Sequence, residues 1–378
     1  MSRAHAFLSA SASHRWLVCT PSAQLESQFP DKSSPYAEEG TKAHALAEEA
    51  LRRFLSGGDS AVQCADREMQ EAVQFYVDTC IEKITAARNV SPDAKILVEE
   101  RLDFSEFVPN GFGTGDMVIV SDGGLEVVDL KYGKGVRVDA EKNSQMMLYA
   151  LGALAAYGYL YSMSTIRMTI VQPRIGNVST YDTAEKDLLE WGTRVRELAK
   201  KAMAGEGEFK PGEHCRFCKA RNTCRAYAEA MKAHIREDLR PAPELQDDEI
   251  ADIVQHAKEV KNWLDGVEAY ALGRALSGTK YPGMKLVAGR STRKIADESA
   301  AAAVLLSAGY NDIYRPQSLR TLTELEKLCG KKHFAELLGA NLTKSEGKPA
   351  LVPASDKRPE LEVGDVRDDF TDEDIPLF

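Results

Sequence analysis

Two aspartates and a lysine flank a β-hairpin that we predict near the middle of the chain. Asp116 precedes the apolar run Met117 to Val120, a glycine-rich turn follows, and Asp129 and Lys131 end the second run. Two short β-rich runs joined by such a turn predict an antiparallel hairpin, whose open ends lie side by side. Side chains alternate along a strand, so Asp129 and Lys131 share one face. We therefore expect Asp116, at the start of the first strand, to meet Asp129 and Lys131.

Two carboxylates beside a lysine are suited to metal-assisted hydrolysis. Mg²⁺ and Mn²⁺ prefer oxygen ligands, and Mg²⁺ commonly takes one or two carboxylates together with waters and phosphate oxygens. The cation activates water and offsets phosphate charge, while a lysine can orient the attacking water or stabilise developing charge. The same D-x-K pattern also fits an ordinary solvated hairpin, so the neighbouring motifs bear on the choice.

Two further motifs lie on predicted helices on either side of this hairpin. His44 ends the sequence Gly40-Thr41-Lys42-Ala43-His44, within a stretch whose apolar residues recur at helical spacing. A single histidine on a helix is commonly structural, and its G-T-x-x-H setting favours a metal ligand here. Gln145 and Tyr149 are four residues apart, so they share one face of their helix.

In this order, the motifs G-T-x-x-H, G-x-G-D, V-V-D-L-K-Y-G-K-G and Q-x-x-x-Y resemble the PD-(D/E)XK nuclease superfamily, and most closely its RecB-like branch. The resemblance implies a metal-dependent DNA nuclease, expected to be an exonuclease in phage recombination or repair. It implies a cation held by His44, Asp116, Asp129 and the backbone carbonyl of Leu130, with Lys131 as the catalytic lysine.

The same resemblance implies that Gln145 and Tyr149 face the active site and bind the DNA strand. A rival hypothesis is a non-catalytic module that binds DNA ends or a partner protein on a nuclease fold that has lost turnover. The intact charged motifs argue against this alternative.

Three of the seven cysteines are clustered, as Cys215, Cys218 and Cys224. In a cytosolic chain this spacing indicates a metal or cluster site rather than disulfides. Three thiolates need a fourth ligand to complete a tetrahedral zinc site or an iron–sulfur cluster. His214 would give zinc, and Cys19, far upstream, is the other candidate.

Some RecB-like nucleases, the CRISPR-associated and AddB-like ones, carry an iron–sulfur cluster, with one cysteine before the nuclease core and three after it. The present chain resembles them in this arrangement, which implies a [4Fe–4S] cluster on Cys19, Cys215, Cys218 and Cys224. Zn²⁺ at these cysteines is the alternative. Either group would tie the N-terminal segment to the end of the core, closing a long loop.

Composition limits the location and partners of the chain. No apolar run approaches the ~18 residues of a membrane-spanning helix, and the N-terminus lacks the apolar stretch of a signal peptide. We therefore expect a cytoplasmic protein of a bacterial host cell, with no membrane partner. The net charge of −10 disfavours DNA binding at first sight, but residues 200–240 hold ten basic against six acidic side chains, and residues 356–378 three against nine.

The order of predicted elements gives the fold class. Helices are predicted at 36–56 and 66–89, strands at 95–102, 114–120 and 125–131, and then a helix at 139–158, a strand at 164–172 and a helix at 183–204. This order predicts an α/β (α+β) protein whose PD-(D/E)XK restriction-endonuclease-like core has a central mixed sheet flanked by helices. We predict a nuclease domain at 1–230, a mostly helical accessory domain at 244–360 and a disordered acidic tail at 361–378.

Two charged segments near the C-terminus allow more than one interpretation. The segment Asp368 to Phe378 resembles the acidic tip of bacterial single-stranded DNA-binding proteins, which implies docking with such a protein or with a recombination protein. A merely solubilising tail is the alternative. The basic cluster Gly289 to Lys294 fits either a contact with DNA phosphates or a solvated loop.

Overall fold

The computed structural model describes residues 6–30, 35–233, 247–289, 293–315, 318–319, 321–344, 347–353 and 358–360. The chain divides into two compact units, Met1–Trp263 and Leu264–Phe378. The acidic tail and the middle of the basic cluster, residues 290–292, lie outside the described residues. The domain boundaries expected from the sequence and the docking role of the tail therefore stay predictions.

The first unit is an α+β fold built on one five-stranded sheet. Its helices are α1 Ser13–Trp16, α2 Ser22–Glu26, α3 Pro35–Leu55, α4 Arg67–Val90, α5 Ser144–Tyr157, α6 Glu185–Ala204, α7 Arg225–Ala233 and α8, which starts in this unit and spans Asp247–Leu276. Its strands are β1 Lys95–Asp103, β2 Phe112–Ser121, β3 Gly124–Leu130, β4 Thr165–Gln172 and β5 Asn177–Ala184.

The sheet follows the order β1-β2-β3-β4-β5, and only β3 and β4 run parallel. The helix α5 makes the crossover between these two strands, as a parallel connection requires. All other neighbouring pairs are antiparallel. The mixed sheet flanked by helices confirms the α+β class and the central mixed sheet expected from the sequence.

Helices cover both faces of this sheet. Met117 and Ile119 of β2 belong to the apolar core shared with α3 and α4, whereas Val118 and Val120 belong to the core shared with α5, α6 and the N-terminal segment. A strand buried on both faces has an unbroken apolar sequence instead of an alternating one. The continuous apolar run after Asp116 follows from this burial.

The helix that carries Gln145 begins later than the sequence predicts. Its expected start at residue 139 is wrong, because α5 begins at Ser144, where the Asn143 side chain accepts hydrogen bonds from the N–H groups of Gln145 (3.1 Å) and Met146 (3.3 Å). The preceding loop is fastened by the buried Gln172, whose Oε1 accepts a hydrogen bond from the Val138 N–H at 2.7 Å. The side chains of β4 thus fix the connection between β3 and α5.

The sequence pattern did not predict the edge strand β5. The helix α6 after it begins at Glu185 and not, as predicted, at residue 183. Asn177–Ala184 holds mostly polar residues whose side chains are only partly covered. Its pairing with β4 along eight positions, and not an apolar pattern, makes it a strand.

The second unit combines helices and short strands. Its helices are α9 Glu298–Ser307, α10 Leu322–Cys329 and α11 Lys331–Leu338, packed around buried residues that include Leu305 and Phe334. Its strands are β6 Met284–Gly289, β7 Arg293–Ile295, β8 Tyr314–Arg315, β9 Ser318–Leu319, β10 Leu342–Lys344 and β11 Gly347–Pro353. They pair in twos, as β6 with β11, β7 with β10 and β8 with β9.

No helix within the described ranges is both long enough and apolar enough to cross a membrane.

Candidate functional site

An open cleft of about 600 Å³ lies in the first unit. Its walls come from the N-terminal segment, from α3 and from the beginning of β2, and small residues such as Ala10, Gly40 and Gly113 line much of it. Polar groups that include Glu99 and Asp116 also line it. The cleft therefore gives a ligand room to come close to a group of carboxylates.

Asp116 links three elements at this cleft. Its Oδ1 lies 3.1 Å from Nδ1 of His44 on α3, although 72 residues separate the two in sequence. Its Oδ2 accepts a 2.6 Å hydrogen bond from the backbone N–H of Leu130 at the end of β3. The structure thus contains the expected contact between Asp116 and the end of the second strand.

The expected position of Asp116 at the start of its strand is wrong. The strand β2 begins four residues earlier, at Phe112, because it continues to pair with β1 beyond the point where β3 ends. Asp116 lies where pairing with β3 ceases, next to the pair Met117 and Val128. The hairpin geometry still places it beside Leu130.

The charge of the imidazole is set by its carboxylate neighbours. Burial alone would lower the pKa of His44, but the hydrogen bond with Asp116 and the charges of Asp116 and Asp129 outweigh it, and the pKa is raised. The positively charged form of His44 is favoured because negative groups outnumber positive ones around it.

Asp129 is buried and tied to its two polar neighbours. Its Oδ2 lies 2.7 Å from Nζ of Lys131, as an ion pair, and its Oδ1 accepts a 3.3 Å hydrogen bond from Nε2 of Gln145. Only 3% of its side chain is exposed, and this burial raises its pKa although the Lys131 charge opposes the shift. As strand alternation predicts, Asp129 and Lys131 lie on one side.

Gln145 connects the charged pair to the helix face behind it. Lys131 donates a 2.9 Å hydrogen bond to Oε1 of Gln145, and Nε2 of Gln145 donates to the Tyr149 hydroxyl at 3.2 Å. The shared helix face expected for Gln145 and Tyr149 is confirmed. Tyr149 lines the cleft, whereas Gln145 holds Lys131 in place.

Glu99 is a site residue that sequence reasoning missed. One ligand atom from each of His44, Glu99 and Asp116 lies within 4.8 Å of the others, and within the described part of the chain no other three His, Cys, Asp or Glu side chains are grouped so closely. Burial, followed by the charge of Asp116, raises the pKa of Glu99 to about 7. The pair Glu99-Glu100 within an otherwise apolar strand pattern was the available signal.

The cysteines of the expected cluster motif surround a second, smaller cavity. It is lined by Cys19 together with Cys215, Cys218 and Cys224, and His214 also borders it. None of these cysteines forms a disulfide. The fold therefore brings Cys19 to the trio that follows it by nearly two hundred residues.

Burial acts on the thiols around this cavity. It raises the pKa of Cys19, of Cys215 and of Cys218, the last to about 12. The Nε2 atom of His214 lies 2.8 Å from the carbonyl oxygen of Lys210, which engages one side of that imidazole. Buried thiols with raised pKa values lose their protons when a metal group binds them.

Polar contacts fasten the N-terminal segment beside these cysteines. Thr20 donates a 2.5 Å hydrogen bond to the carbonyl of Glu206, and Glu26 accepts a 3.0 Å hydrogen bond from the N–H of Lys219. Nearer the N-terminus, the Ser13 hydroxyl lies 2.6 Å from that of Ser144 at the start of α5. One segment thus joins the cysteine cavity to the helix of the cleft.

Among solved structures, the chain is similar to one titled "Crystal structure of SSO0001". The two share 14% sequence identity, and the alignment covers 48% of this chain and 95% of that chain with a TM-score of 0.22. A likeness of this size supports neither a fold nor a function. A family model described as "Protein of unknown function (DUF2800)" matches residues 5–359. Because that match spans nearly the whole sequence, the chain belongs to this family.

Proposed function

We propose that this chain is a metal-dependent DNA nuclease, a RecB-like member of the PD-(D/E)XK superfamily that acts as an exonuclease in phage recombination or repair in the bacterial cytoplasm. One observation carries the proposal. The fold brings His44 and Asp116 together at one cleft. The Asp129–Lys131 ion pair lies at the end of β3, beside the Leu130 N–H that Asp116 contacts, although His44 and Lys131 are 87 positions apart in sequence.

The donor set fits a hard divalent cation. The carboxylates of Asp116 and Asp129, the His44 imidazole and the Leu130 backbone offer oxygen and nitrogen atoms, which suit Mg²⁺ and Mn²⁺. A bound cation would supply Lewis-acid chemistry, which activates water and offsets phosphate charge. The close contact of His44 with Asp116, and of Asp116 with the Leu130 N–H, supports this assignment.

Lys131 has the surroundings of a catalytic lysine. Asp129 holds its ammonium group by charge and Gln145 holds it by a hydrogen bond, while 26% of the side chain stays exposed. The ammonium is thus fixed in direction and open to solvent. It can orient a water molecule and stabilise negative charge that develops on a phosphodiester during hydrolysis.

The arrangement of strands and helices supports the same proposal. An antiparallel run β1-β2-β3, the crossover helix α5 and a parallel β4 follow one another as the resemblance leads one to expect. The residues of the proposed site lie on β2, at the end of β3 and on the two helices nearest them.

The four cysteines that line one cavity support a bound metal group there, since the fold brings Cys19 to Cys215, Cys218 and Cys224. One cysteine before the core and three after it is the arrangement for which the resemblance implies an iron–sulfur cluster, with Zn²⁺ as the alternative. We propose a [4Fe–4S] cluster that fastens the N-terminal segment.

Cleavage of labelled DNA tests the proposed activity. Protein purified without oxygen is incubated with end-labelled linear and circular DNA, with and without Mn²⁺. We expect Mn²⁺-dependent shortening of the linear DNA, and no activity from Asp116→Asn. The matched control is Asp122→Asn, because Asp122 occupies the turn at the opposite end of the same hairpin.

Binding of DNA ends without any shortening, by a protein that holds Mn²⁺, would contradict the nuclease and favour the non-catalytic module. Equal cleavage by Asp116→Asn and by the unchanged protein would contradict the site.

A further inference from the structure

Glu99 has an unusual backbone for its place in the sheet. Its φ is +52°, in the left-handed region, although it lies within β1. Its neighbours Val98 and Glu100 keep their antiparallel pairing, with Met117 and Gly115. Glu99 therefore stands across from Asp116 without extended geometry. A residue other than glycine in this region costs free energy, which the surrounding structure must compensate.

Within the described part of the chain the Glu99 carboxylate accepts no hydrogen bond and forms no ion pair, whereas Glu100 beside it accepts a 3.0 Å hydrogen bond from the Tyr157 hydroxyl. Glu99 lines the open cleft, with part of its side chain covered. A partly buried carboxylate without a partner is unfavourable unless a cation meets it.

Glu99 lies close to two residues of the proposed cation site. One atom each from His44, Glu99 and Asp116 can be chosen so that all lie within 4.8 Å of one another, and all three residues line the cleft. Asp129, in contrast, has its two carboxylate oxygens next to Lys131 and Gln145. Glu48 also lines the cleft, but it forms an ion pair with Arg52 (2.8 Å). Glu99 is therefore the carboxylate that joins His44 and Asp116 as a third possible ligand.

We propose that Glu99 is a ligand of a divalent cation, of the Mg²⁺ or Mn²⁺ class, that it shares with His44 and Asp116. The inference rests on the proposed function only in taking His44 and Asp116 as cation ligands. The pairing of β1 with β2 sets Glu99 across from Asp116, and a cation would supply the partner that its carboxylate lacks among the described residues. The set of ligands is thereby one carboxylate larger than the D-x-K and histidine motifs predict.

Manganese binding to the purified holoprotein tests this assignment. Mn²⁺ is titrated into the unchanged protein, Glu99→Gln and Glu100→Gln, and the dissociation constant is measured by calorimetry and by the spectrum of free Mn²⁺ in electron paramagnetic resonance. We expect Glu99→Gln to weaken binding at least about tenfold, at the lower end of what loss of a supporting group around a metal costs. Glu100→Gln, the adjacent control, should bind as the unchanged protein does.

Mn²⁺ affinity in Glu99→Gln equal to that of the unchanged protein would overturn the proposal, and so would the absence of any Mn²⁺ binding by the unchanged protein. A thermal melt without added Mn²⁺ checks that the variant is folded, and Glu99→Asp, which keeps the charge on a shorter side chain, should bind with intermediate affinity. The DNA cleavage assay separates the two proposals. Glu99-dependent Mn²⁺ binding without cleavage leaves this site standing and removes the nuclease, whereas cleavage with unchanged Mn²⁺ affinity in Glu99→Gln does the reverse.

Discussion

At the scale of single residues, the site is a chain of contacts that fixes one ammonium group. Lys131 contacts Asp129 and Gln145, and Gln145 in turn contacts Tyr149 on the wall of the cleft. The burial of Asp129 disfavours its charge, and Lys131 offsets this cost. Removing one member therefore affects the position of the others.

Lys131→Met should reduce metal-dependent cleavage by about 10²-fold or more, because it removes the charge that stabilises the developing negative charge. Its affinity for Mn²⁺ should stay close to that of the unchanged protein. Single-turnover rates and Mn²⁺ titration measure the two effects. Lys186→Met, on the exposed side of α6, is the control. Cleavage by Lys131→Met at the normal rate would remove the lysine from the mechanism.

Asp129→Asn should likewise reduce the rate by about 10²-fold or more, and it should also weaken Mn²⁺ binding if Asp129 is a ligand as proposed. A variant with low activity and normal Mn²⁺ affinity would leave Asp129 with the single role of holding Lys131. Near-normal cleavage would exclude Asp129 from the site.

Gln145→Ala should lower kcat by about 10-fold to 100-fold with little change in KM, because the lysine loses the hydrogen bond that directs it, and small displacements of a catalytic group are costly. Steady-state kinetics on linear DNA give both constants. A change confined to KM would show instead that Gln145 binds substrate and does not position Lys131.

At the scale of elements, glycines occur both where a helix packs closely on the sheet and where the cleft is open. A Cβ atom on Gly152 of α5 would lie 3.0 Å from Cβ of Leu102 and 3.2 Å from the carbonyl oxygen of Asp103, both in β1. A Cβ atom on Gly40 of α3 would have no neighbour within 4 Å, and Gly40 lines the cleft. Gly152 thus allows close contact between helix and sheet, whereas Gly40 leaves space open in the cleft.

Gly152→Val should destabilise the fold by about 1–3 kcal/mol, as overpacking of a well-packed contact does. Gly40→Val, the matched change in α3, should alter stability by no more than about 0.5 kcal/mol, since glycine and valine differ little in helix propensity. Thermal or denaturant unfolding compares the two. Equal losses of stability would contradict the described packing.

The activity of Gly40→Val is a separate expectation for the cleft. If DNA occupies this space, cleavage should fall although the fold is intact. Full activity would indicate that substrate does not approach α3 at Gly40.

At the scale of the whole molecule, the cysteine cavity and the cleft are joined through one N-terminal segment. Cys19 borders the cavity, Ala6 and Ala10 border the cleft, and Ser13 lies between them in sequence, in contact with α5. A group that binds Cys19 to the later cysteines would hold this segment and, through it, one wall of the cleft.

Purified protein should be brown and contain about four irons per chain, as a [4Fe–4S] cluster requires. Cys19→Ala should lose colour and iron as fully as Cys215→Ala, whereas Cys64→Ala, outside the cavity, should keep both. Visible absorption and metal analysis measure this. Colourless protein with stoichiometric zinc would reject the cluster, and a coloured Cys19→Ala would reject only the fourth ligand.

Much of the fold and site follows from short-range patterns in the sequence. The apolar run Met117 to Val120, the glycine turn after it and the helical spacing around His44 predicted the hairpin and α3, because strand and helix periodicity are local properties. The spacing of Asp129 to Lys131, and of Gln145 to Tyr149, likewise predicted shared faces that the structure confirms.

Tertiary structure decided what depends on pairing between distant segments. The polar strand β5 exists because β4 offers it hydrogen bonds. The loop before α5 is fastened to Gln172 of β4, and the helix starts at Ser144, where Asn143 caps it. Glu99 lies close to His44 and Asp116 because the pairing of β1 with β2 sets it across from Asp116, which no local pattern predicts. The sequence specifies which groups are present and their local periodicity. Long-range packing determines which of these groups meet, because packing offsets the free-energy cost of placing like charges side by side and of a strained backbone.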